Sequence, residues 1–289
     1  MTSAPLNDIA VIVVTFNSAH CIAGLRDAVT GFGQLIVVDN GSDDDTVEQV
    51  RRLLPEARLI VNPTNVGFGA ANNAALALVT SRHALLINPD CLPNPSFAAG
   101  MLAAIEQFPD AAIIAPHLIR RSGELELSYR WPDGLWRSAG PRASGPCCVG
   151  FVSGAAMLLN MAVMRKVGFF DETFFLYYED EDLCQRVFDK RLQIVVIPDI
   201  ELTHLSRGSV RGRHPLKAEF TRGFHHAQSK LLFEHKHVSA VSAGRLRWKT
   251  LALALLTLVP RLLLPQPKYL ARLAGRIAGL CQGYPQPRS

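Results

Sequence analysis

The chain has 289 residues, of which 48% are hydrophobic and 19% are charged, and this composition excludes disorder over most of its length. The net charge of +5 is uneven, because residues 1–182 carry 12 Lys+Arg against 20 Asp+Glu and residues 183–289 carry 18 against 5. Such a basic tail favours an anionic surface as its partner, with an ordinary solvated face as the alternative. The sequence has neither zinc-finger spacing nor an RNA-binding signature, which argues against nucleic acid.

The cysteines and the N-terminus indicate a cytoplasmic protein. Six cysteines occur without a C-x-x-C pair in a chain too long to need disulfide bonds, so we expect reduced thiols. The N-terminal stretch lacks a basic segment and a small-residue cleavage site, so we do not expect a signal peptide. Its apolar run is also too short to span a bilayer.

Short β-branched runs alternate with helical patterns over the first 120 residues. The strand-like runs are 9–16, 35–38, 59–61, 84–87 and 112–115. The helix-like stretches lie near residues 19–30, 45–54, 68–80 and 96–107. This alternation predicts an α/β fold, with a mostly parallel sheet flanked by helices. Ligands of such sheets bind at the carboxyl ends of the strands, where polar residues follow the first four runs.

The following region is less regular. Residues 121–150 are rich in Gly, Pro, Ser, Arg and Trp, which predicts a surface excursion with a hairpin and a mobile loop. Residues 151–159 and 193–197 predict two further strands, and residues 179–190 predict a helix.

From about residue 215 to the end the pattern is helical and basic. We therefore predict an α/β domain over residues 1–214 and a basic amphipathic helical extension over 215–289.

Two motifs after predicted strands are suited to a nucleotide. In VVDNGSDD, residues 37–44, Asp39 closes a strand and can accept hydrogen bonds from a ribose or a base, although Ser42 or Asp43 can alternatively cap the next helix. In NVGFGAANN, residues 65–73, two glycines at a helix start let the backbone approach a diphosphate, with a tight turn as the alternative.

Two further positions are suited to a divalent cation. Asp90 ends LLINPD at a strand's carboxyl end, and Mg²⁺ or Mn²⁺ binds one or two carboxylates plus phosphate oxygens. His204 follows a short strand and can be a second ligand, with the Ser, Gly and Arg residues after it holding phosphates. A turn aspartate and a structural histidine are the alternatives.

The most distinctive motif is FFLYYEDEDLCQR, residues 174–186. Four consecutive carboxylates repel one another, so at least one should have a raised pKa, which suits a general base. An acidic helix start stabilised by the helix dipole is the alternative, but it does not explain the aromatic residues that precede the carboxylates.

Taken in this order, the motifs resemble a family-2 glycosyltransferase of the GT-A fold, in its rhamnosyltransferase-like branch. The resemblance runs from about residue 8 to residue 236. The matching segments are VVTFN (13–17), VVDNGSDD (37–44), NVGFGAANN (65–73), LINPD (86–90), SGAA (153–156), FFLYYEDEDLCQR (174–186) and His204.

The resemblance implies that residues 1–214 are a catalytic domain, with a nucleotide-sugar half over about 1–120 and an acceptor and catalytic-base half over 121–214. It also implies roles for the matching residues. Nucleotide-sugar binding falls to Thr15, Asn17, Asp39, Asn65, Gly67 and Asn88. Asp90 and His204 become metal ligands, and Asp180 becomes the general base, with Glu179 and Glu181 as candidates one residue away. Glu179, Asp182 and Arg186 shape the acceptor side. The family's D-x-D element reads Asn88-Pro89-Asp90 here, so one carboxylate is missing, and the alternatives are a lower metal affinity or a greater importance of His204.

The resemblance also implies an activity. It indicates an inverting enzyme dependent on Mg²⁺ or Mn²⁺ that transfers L-rhamnose from dTDP-rhamnose, or a sugar from a UDP or GDP donor. The acceptor would be a polyprenyl-diphosphate-linked saccharide in cell-wall or surface-polysaccharide assembly. The basic helices would lie on the inner face of the plasma membrane, with a homodimer contact as the alternative. A nucleotidyltransferase and a catalytically silent binding subunit are the rival classes.

Overall fold

The computed structural model describes residues 6–126, 128–130, 142–205, 210, 214–263 and 266–285. The core of the predicted mobile loop, residues 131–141, lies outside the described residues, and so do the Ser, Arg and Gly residues at 206–209. The chain forms two compact units. The sheet unit comprises Met1–Val66, Ala70–Phe170 and Leu183–Arg211, and the helical unit comprises Gly67–Gly69, Asp171–Asp182 and Gly212–Ser289.

All described strands belong to the sheet unit. They are Ile9–Thr15 (β1), Gln34–Asp39 (β2), Arg58–Val61 (β3), His83–Ile87 (β4), Cys91–Pro93 (β5), Ile113–Ile119 (β6), Leu125–Glu126 (β7), Tyr129–Arg130 (β8), Cys147–Cys148 (β9), Phe151–Val152 (β10), Ala156–Asn160 (β11) and Ile194–His204 (β12). The main sheet has the order β3-β2-β1-β4-β11-β6-β12-β5. Strands β3, β2, β1 and β4 are parallel, and so are β6 and β12, whereas β11 runs antiparallel between β4 and β6. The predicted α/β class is confirmed.

The strand β1 shows why this sheet is buried on both faces. Its residues Ile9, Val11 and Val13 enter one apolar cluster, while Ala10 and Ile12 enter a second one. Successive side chains of a strand point to opposite faces, so a continuous apolar run fills two cores.

Two predicted strands have different bounds in the structure. The expected strand 151–159 is two strands, because Phe151–Val152 pair with β8 in a separate sheet while Ala156–Asn160 pair with β4. The expected strand 193–197 instead extends to His204. Its pairing with β6 shifts register between Ile197 and Glu201, around Pro198, which has no N–H to donate to a ladder.

The described helices are Ala19–Val29 (α1), Thr46–Leu53 (α2), Phe68–Leu76 (α3), Phe97–Gln107 (α4), Met161–Val167 (α5), Glu179–Asp189 (α6), Pro215–His237 (α7), Ala240–Leu263 (α8) and Pro267–Gln282 (α9). The predicted helix over 179–190 and the helical C-terminal region are confirmed. None of the described helices combines the length and the hydropathy that a membrane crossing requires.

In the helical unit, α7 and α9 pack through glycine. A Cβ atom at Gly275 would lie 2.0 Å from the carbonyl oxygen of Phe220, and one at Gly223 would lie 2.1 Å from that of Arg272. Only a residue without a side chain allows two helix backbones this close. The third helix, α8, contributes Leu246 and Leu251 to a small core around Leu231.

Candidate active site

The first part of the candidate site lies at the carboxyl ends of β1 and β2. Thr15 and Asp39 are opposite each other in the parallel register, and the Thr15 hydroxyl donates to Asp39 Oδ1 at 3.1 Å. The amide and the hydroxyl of Ser42 also donate to this carboxylate, at 2.9 and 2.5 Å. Both Thr15 and Asp39 are fully buried. A buried carboxylate with three donors is well satisfied and fixes the turn that follows β2.

The side chain of Asn17 joins the same turn. The backbone N–H of Asn17 donates to Ser42 Oγ at 2.8 Å, and its side-chain Oδ1 accepts from the Asp43 backbone amide at 2.9 Å. Asn17 has a positive φ of 52°, a conformation that asparagine tolerates better than most residues. The helix-capping alternative for Ser42 or Asp43 is wrong, because the amide at the start of α2, that of Thr46, donates to Asp44 Oδ1.

A third strand end contributes asparagines. Asn40 follows β2, and its side-chain amide donates to Asn65 Oδ1 at 2.9 Å. Its own Oδ1 accepts from the Asn62 side chain and from the Val66 backbone, both at 3.1 Å. The predicted residue Asn65 is therefore tied to the strand ends of β2 and β3. Asn88 is half-buried beyond β4, and its backbone amide donates to the Ala155 carbonyl.

The second part of the site is the predicted metal position. His204 ends β12 and lies opposite Cys91 on the antiparallel strand β5, which brings its ring beside Asp90. His204 Nε2 is 3.6 Å from Asp90 Oδ1, and its Nδ1 is 2.9 Å from Glu126 Oε2. Donor atoms of Asp90, Cys91 and His204 all lie within 4.8 Å of one another. Asp90 is 1% exposed.

The donor set fits a divalent cation. Burial lowers the pKa of His204, but the carboxylates of Asp90 and Glu126 outweigh this effect, so the pKa lies above its ordinary value. The carboxylates of Asp90 and Glu126, which favour a proton on the His204 ring, would also attract a divalent cation to that ring. Binding of the cation would release the proton. Burial raises the pKa of Cys91 well above its usual range, so its thiol stays protonated and is a poor ligand.

A separate group of candidate residues belongs to the helical unit and contains the acidic run. Gly67 has a φ of +97°, and a Cβ there would lie 2.6 Å from the carbonyl oxygen of Phe175. The Phe68 amide donates to the same oxygen at 3.1 Å. The close backbone approach predicted for Gly67 is therefore made to the aromatic segment before the carboxylates, and its contact with a nucleotide sugar stays a prediction.

The four carboxylates differ in their surroundings. Glu179 begins α6 and is 6% exposed. Burial, reinforced by the Asp180 carboxylate, raises the pKa of Glu179 well above its ordinary value. A raised pKa in the run was expected, but its main cause is burial and the crowding of like charges comes second. Asp180 is half-buried, and its Oδ1 accepts from the Glu181 amide at 3.0 Å. Of these two residues, Asp180 is thus the more accessible.

The two remaining acceptor-side candidates have structural partners. Asp182 is fully buried, and its Oδ1 lies 2.7 Å from Lys236 Nζ and 2.8 Å from His237 Nε2. In the sheet unit, the Arg186 guanidinium donates to the consecutive carbonyls of residues 167, 168 and 169. Their roles at the acceptor stay predictions.

Sequence reasoning missed Glu126, which contacts the proposed ligand His204. Glu126 lies on a two-residue strand inside the predicted excursion, where nothing in the local pattern separates it from Glu124. Lys236 and His237 were also missed. Their signal is a basic triplet at the end of a helix, whose complement, the acidic run, is more than fifty residues away in the chain.

A family model described as "Glycosyl transferase family 2" matches residues 10–168. This match covers more than half of the chain, so the chain belongs to that family of glycosyltransferases. The predicted family is confirmed.

Two named relatives match most of this chain at low sequence identity. N-acetylglucosaminyl-diphospho-decaprenol L-rhamnosyltransferase of Mycobacterium tuberculosis is 26% identical over 275 residues, which cover 82% of this chain and 87% of that protein. A low-salt glycan biosynthesis hexosyltransferase of Haloferax volcanii is 25% identical over 210 residues, which cover 69% of this chain and 67% of that protein.

Solved structures share the fold. A mannosyltransferase from Pyrobaculum calidifontis in complex with GDP-Man and Mn²⁺ has a TM-score of 0.55 at 17% identity, covering 96% of this chain and 88% of that one. GalNAc-T7 with UDP, GalNAc and Mn²⁺ has a TM-score of 0.52 at 10% identity, covering 68% of this chain and less than half, 43%, of that one. The predicted GT-A fold is confirmed by these likenesses.

Proposed function

We propose that this glycosyltransferase transfers L-rhamnose from dTDP-rhamnose, with inversion, to a polyprenyl-diphosphate-linked saccharide in cell-wall or surface-polysaccharide assembly. One observation carries the proposal. The match to a rhamnosyltransferase acting on N-acetylglucosaminyl-diphospho-decaprenol covers 87% of that protein, beyond the shared family segment. The alternative donors are UDP- and GDP-sugars, and the fold of the mannosyltransferase with GDP-Man keeps a GDP-sugar in consideration.

Donor binding is proposed for the strand ends of the sheet unit. Thr15, Asn17 and Asp39 form a buried hydrogen-bonded group where parallel strands end, which is the usual ligand side of such a sheet. Their mutual bonds fix the turn after β2 before a nucleotide arrives, so little ordering remains to be done on binding. Asn65 and Asn88 are proposed to contact the same nucleotide sugar, and Gly67 is proposed to leave room for it.

Asp90 and His204 are proposed to hold Mg²⁺ or Mn²⁺. When bound, such an ion would neutralise the charge that develops on the departing diphosphate. Glu126 would orient His204 through its Nδ1, as carboxylates beside metal-binding histidines do. Glu126 and His204 together are proposed to compensate for Asn88, which stands where the family's D-x-D element has a carboxylate.

Asp180 is proposed as the general base that takes the proton from the acceptor hydroxyl. Accessibility favours Asp180 over Glu179, because a base must reach the proton that it removes. The raised pKa of Glu179 keeps a proton on a buried carboxyl and lowers the repulsion that Asp180 would otherwise meet. Glu179 and Glu181 remain the alternatives for the base, and Asp182 and Arg186 are proposed to shape the acceptor side through the chain that they fix.

A donor panel tests the proposed function. Calorimetry with dTDP-rhamnose, UDP-sugars and GDP-sugars, with and without Mn²⁺, should give the tightest binding for dTDP-rhamnose with Mn²⁺. Mass spectrometry should then detect one added deoxyhexose on a polyprenyl-diphosphate N-acetylglucosamine acceptor. Transfer from a UDP- or GDP-sugar alone would overturn the rhamnosyl assignment, and donor binding without transfer or hydrolysis would indicate a silent binding subunit.

We also propose that α8 lies on the cytoplasmic face of an anionic membrane. Six of its exposed apolar residues lie along one face, at spacings of three, four and seven: Trp248, Leu255, Leu256, Val259, Leu262 and Leu263. No acidic residue follows Glu234 in the sequence, whereas nine Lys or Arg residues do. An apolar stripe in a purely basic segment complements an anionic lipid surface and would keep the enzyme beside a lipid-linked acceptor.

Vesicle flotation tests this surface. The protein should float with phosphatidylglycerol vesicles and much less with phosphatidylcholine vesicles, and the change Leu256→Asp should weaken flotation. Leu216→Asp, at an exposed leucine of α7, is the matched control and should float like the wild type. A stable dimer in light scattering that Leu256→Asp dissociates, without flotation of the wild type, would indicate a second copy as the partner instead.

A further inference from the structure

The backbone before the acidic helix is strained. Tyr177 and Tyr178 have φ values of +68° and +67°, a conformation that is unfavourable for a residue with a side chain. Two such residues in succession persist only where surrounding contacts outweigh the cost, and such strain is concentrated at functional sites. The contacts that hold this segment are therefore informative, and within the helical unit they come from α7.

One side of the acidic pair is held through the aromatic segment. The Ser229 hydroxyl donates to the Leu176 carbonyl at 2.9 Å, immediately before the strained tyrosines. The rings of Tyr177 and Tyr178 both meet the His226 ring edge-on, at centroid distances of 5.5 and 5.6 Å. Ser229 is 4% exposed, so its hydrogen bond is shielded from water.

The other side of the acidic pair is held through Asp182. Its buried carboxylate contacts Lys236 Nζ and His237 Nε2, at the end of the same helix. The residues of α7 that hold the segment before Glu179 and those that hold Asp182 are thus about two turns apart on one helix. Glu179 and Asp180 lie between the two points of attachment.

We propose that α7 positions the acidic pair Glu179–Asp180. Ser229 and His226 are the positioning residues, because they contact the strained segment immediately before the pair. This inference rests on the proposed function for its catalytic meaning. A general base acts only within hydrogen-bonding distance of its proton, so a small displacement of Asp180 costs turnover while a donor site elsewhere in the chain is unaffected.

The test uses three full-length variants. Ser229→Ala removes the donor to Leu176, and Ser229→Cys replaces it with a weaker donor of similar size. Thr257→Ala is the matched control, since Thr257 makes a hydroxyl-to-carbonyl bond within α8. We expect kcat to fall about tenfold in Ser229→Ala and less in Ser229→Cys, with the donor KM unchanged. A displaced base gives this split with the full stoichiometry of donor binding by calorimetry, whereas partial unfolding lowers that stoichiometry together with the apparent kcat.

Amide exchange provides a readout that needs no substrate. Residues 174–180 should exchange faster in Ser229→Ala than in the wild type, with thermal unfolding nearly unchanged. Unchanged exchange in that segment, or an unchanged kcat, would overturn the positioning role of α7. A wild-type protein that transfers no sugar from any donor would overturn the proposed function instead, and the exchange result would still report on the contacts of α7.

Discussion

The strand-end site of the sheet unit and the acidic segment of the helical unit are built in different ways. In the sheet unit, Thr15 and Asp39 are the last residues of β1 and β2, and the parallel register alone brings them together. In the helical unit, the acidic pair stands at the start of α6, and the residues on either side of it, Leu176 and Asp182, contact α7, more than fifty residues later. In the sheet unit, Asp39 has three hydrogen-bond donors near the strand ends. The acidic segment is held instead by a few contacts with residues that are far away in the chain.

The largest expected effect is at Asp180, in the helical unit. Asp180→Asn keeps the shape of the side chain but cannot accept the proton, so kcat should fall about 10²- to 10⁴-fold while donor affinity by calorimetry stays nearly unchanged. Asp189→Asn, at the exposed end of the same helix, should retain activity. Donor affinity lost together with turnover would assign Asp180 to the donor or metal site, and a larger loss in Glu179→Gln would move the base to Glu179.

The second effect is a pH dependence of stability that arises from His226 of α7. Burial, with nearby Arg276, Lys230 and Arg272, lowers the pKa of His226 to about 4, against 6.5 for an ordinary histidine. Between these values the unfolded chain binds a proton that the folded chain does not, so stability falls as the pH drops from 6.5 to 4. The loss reaches up to about 3 kcal/mol.

Chemical denaturation at pH 7.5 and pH 4.5 measures this loss. His226→Gln cannot titrate and should lose less free energy of unfolding between the two pH values than the wild type does. His214→Gln, at an exposed position before α7, is the control and should behave like the wild type. Equal losses in the wild type and in His226→Gln would mean that this ring is protonated in the folded protein.

A third prediction concerns Glu126, the distant contact of the sheet unit. Glu126→Gln removes the charge beside His204 Nδ1, and loss of such a supporting carboxylate typically costs about 10- to 100-fold in metal affinity. Calorimetric titration with Mn²⁺ should detect this loss, while Glu124→Gln, at an exposed neighbour, should bind Mn²⁺ like the wild type. Unchanged Mn²⁺ affinity in Glu126→Gln would show that Glu126 does not support His204 as a ligand.

The sequence predicts the strand-end residues of the sheet unit better than it predicts the contacts between distant residues. Asp39 and Asp90 were recognisable because an apolar run of fixed length drives the next polar residue to a strand end. The contact between His204 and Glu126 could not be recognised from the sequence. It depends on the register of β12 against β5 and on the two-residue strand β7 that carries Glu126. The contacts of Ser229, Lys236 and His237 were not recognisable either, since the periodicity of α7 predicts a helix but not what the helix touches.

The predicted boundary between residues 214 and 215 also rested on that periodicity, and it stays a prediction. The compact helical unit contains residues 171–182 as well as the C-terminal helices. Composition separates the acidic run from the basic tail, because their charges are opposite. In the folded unit the opposite charges are partners, since Asp182 contacts Lys236 and His237. A change of sign along a chain can therefore mark a contact as well as a boundary.

The smallest expected effect tests the redundancy of the strand-end site. Thr15→Val removes one of three donors to Asp39, but the amide and hydroxyl of Ser42 remain, so the free energy of unfolding should fall by only about 1 kcal/mol. Thr15→Ser keeps the hydroxyl and is the control. Chemical denaturation measures both variants. A loss of several kcal/mol in Thr15→Val would show that Asp39 depends on a single donor, and the strand-end site would then be as vulnerable as the segment held by α7.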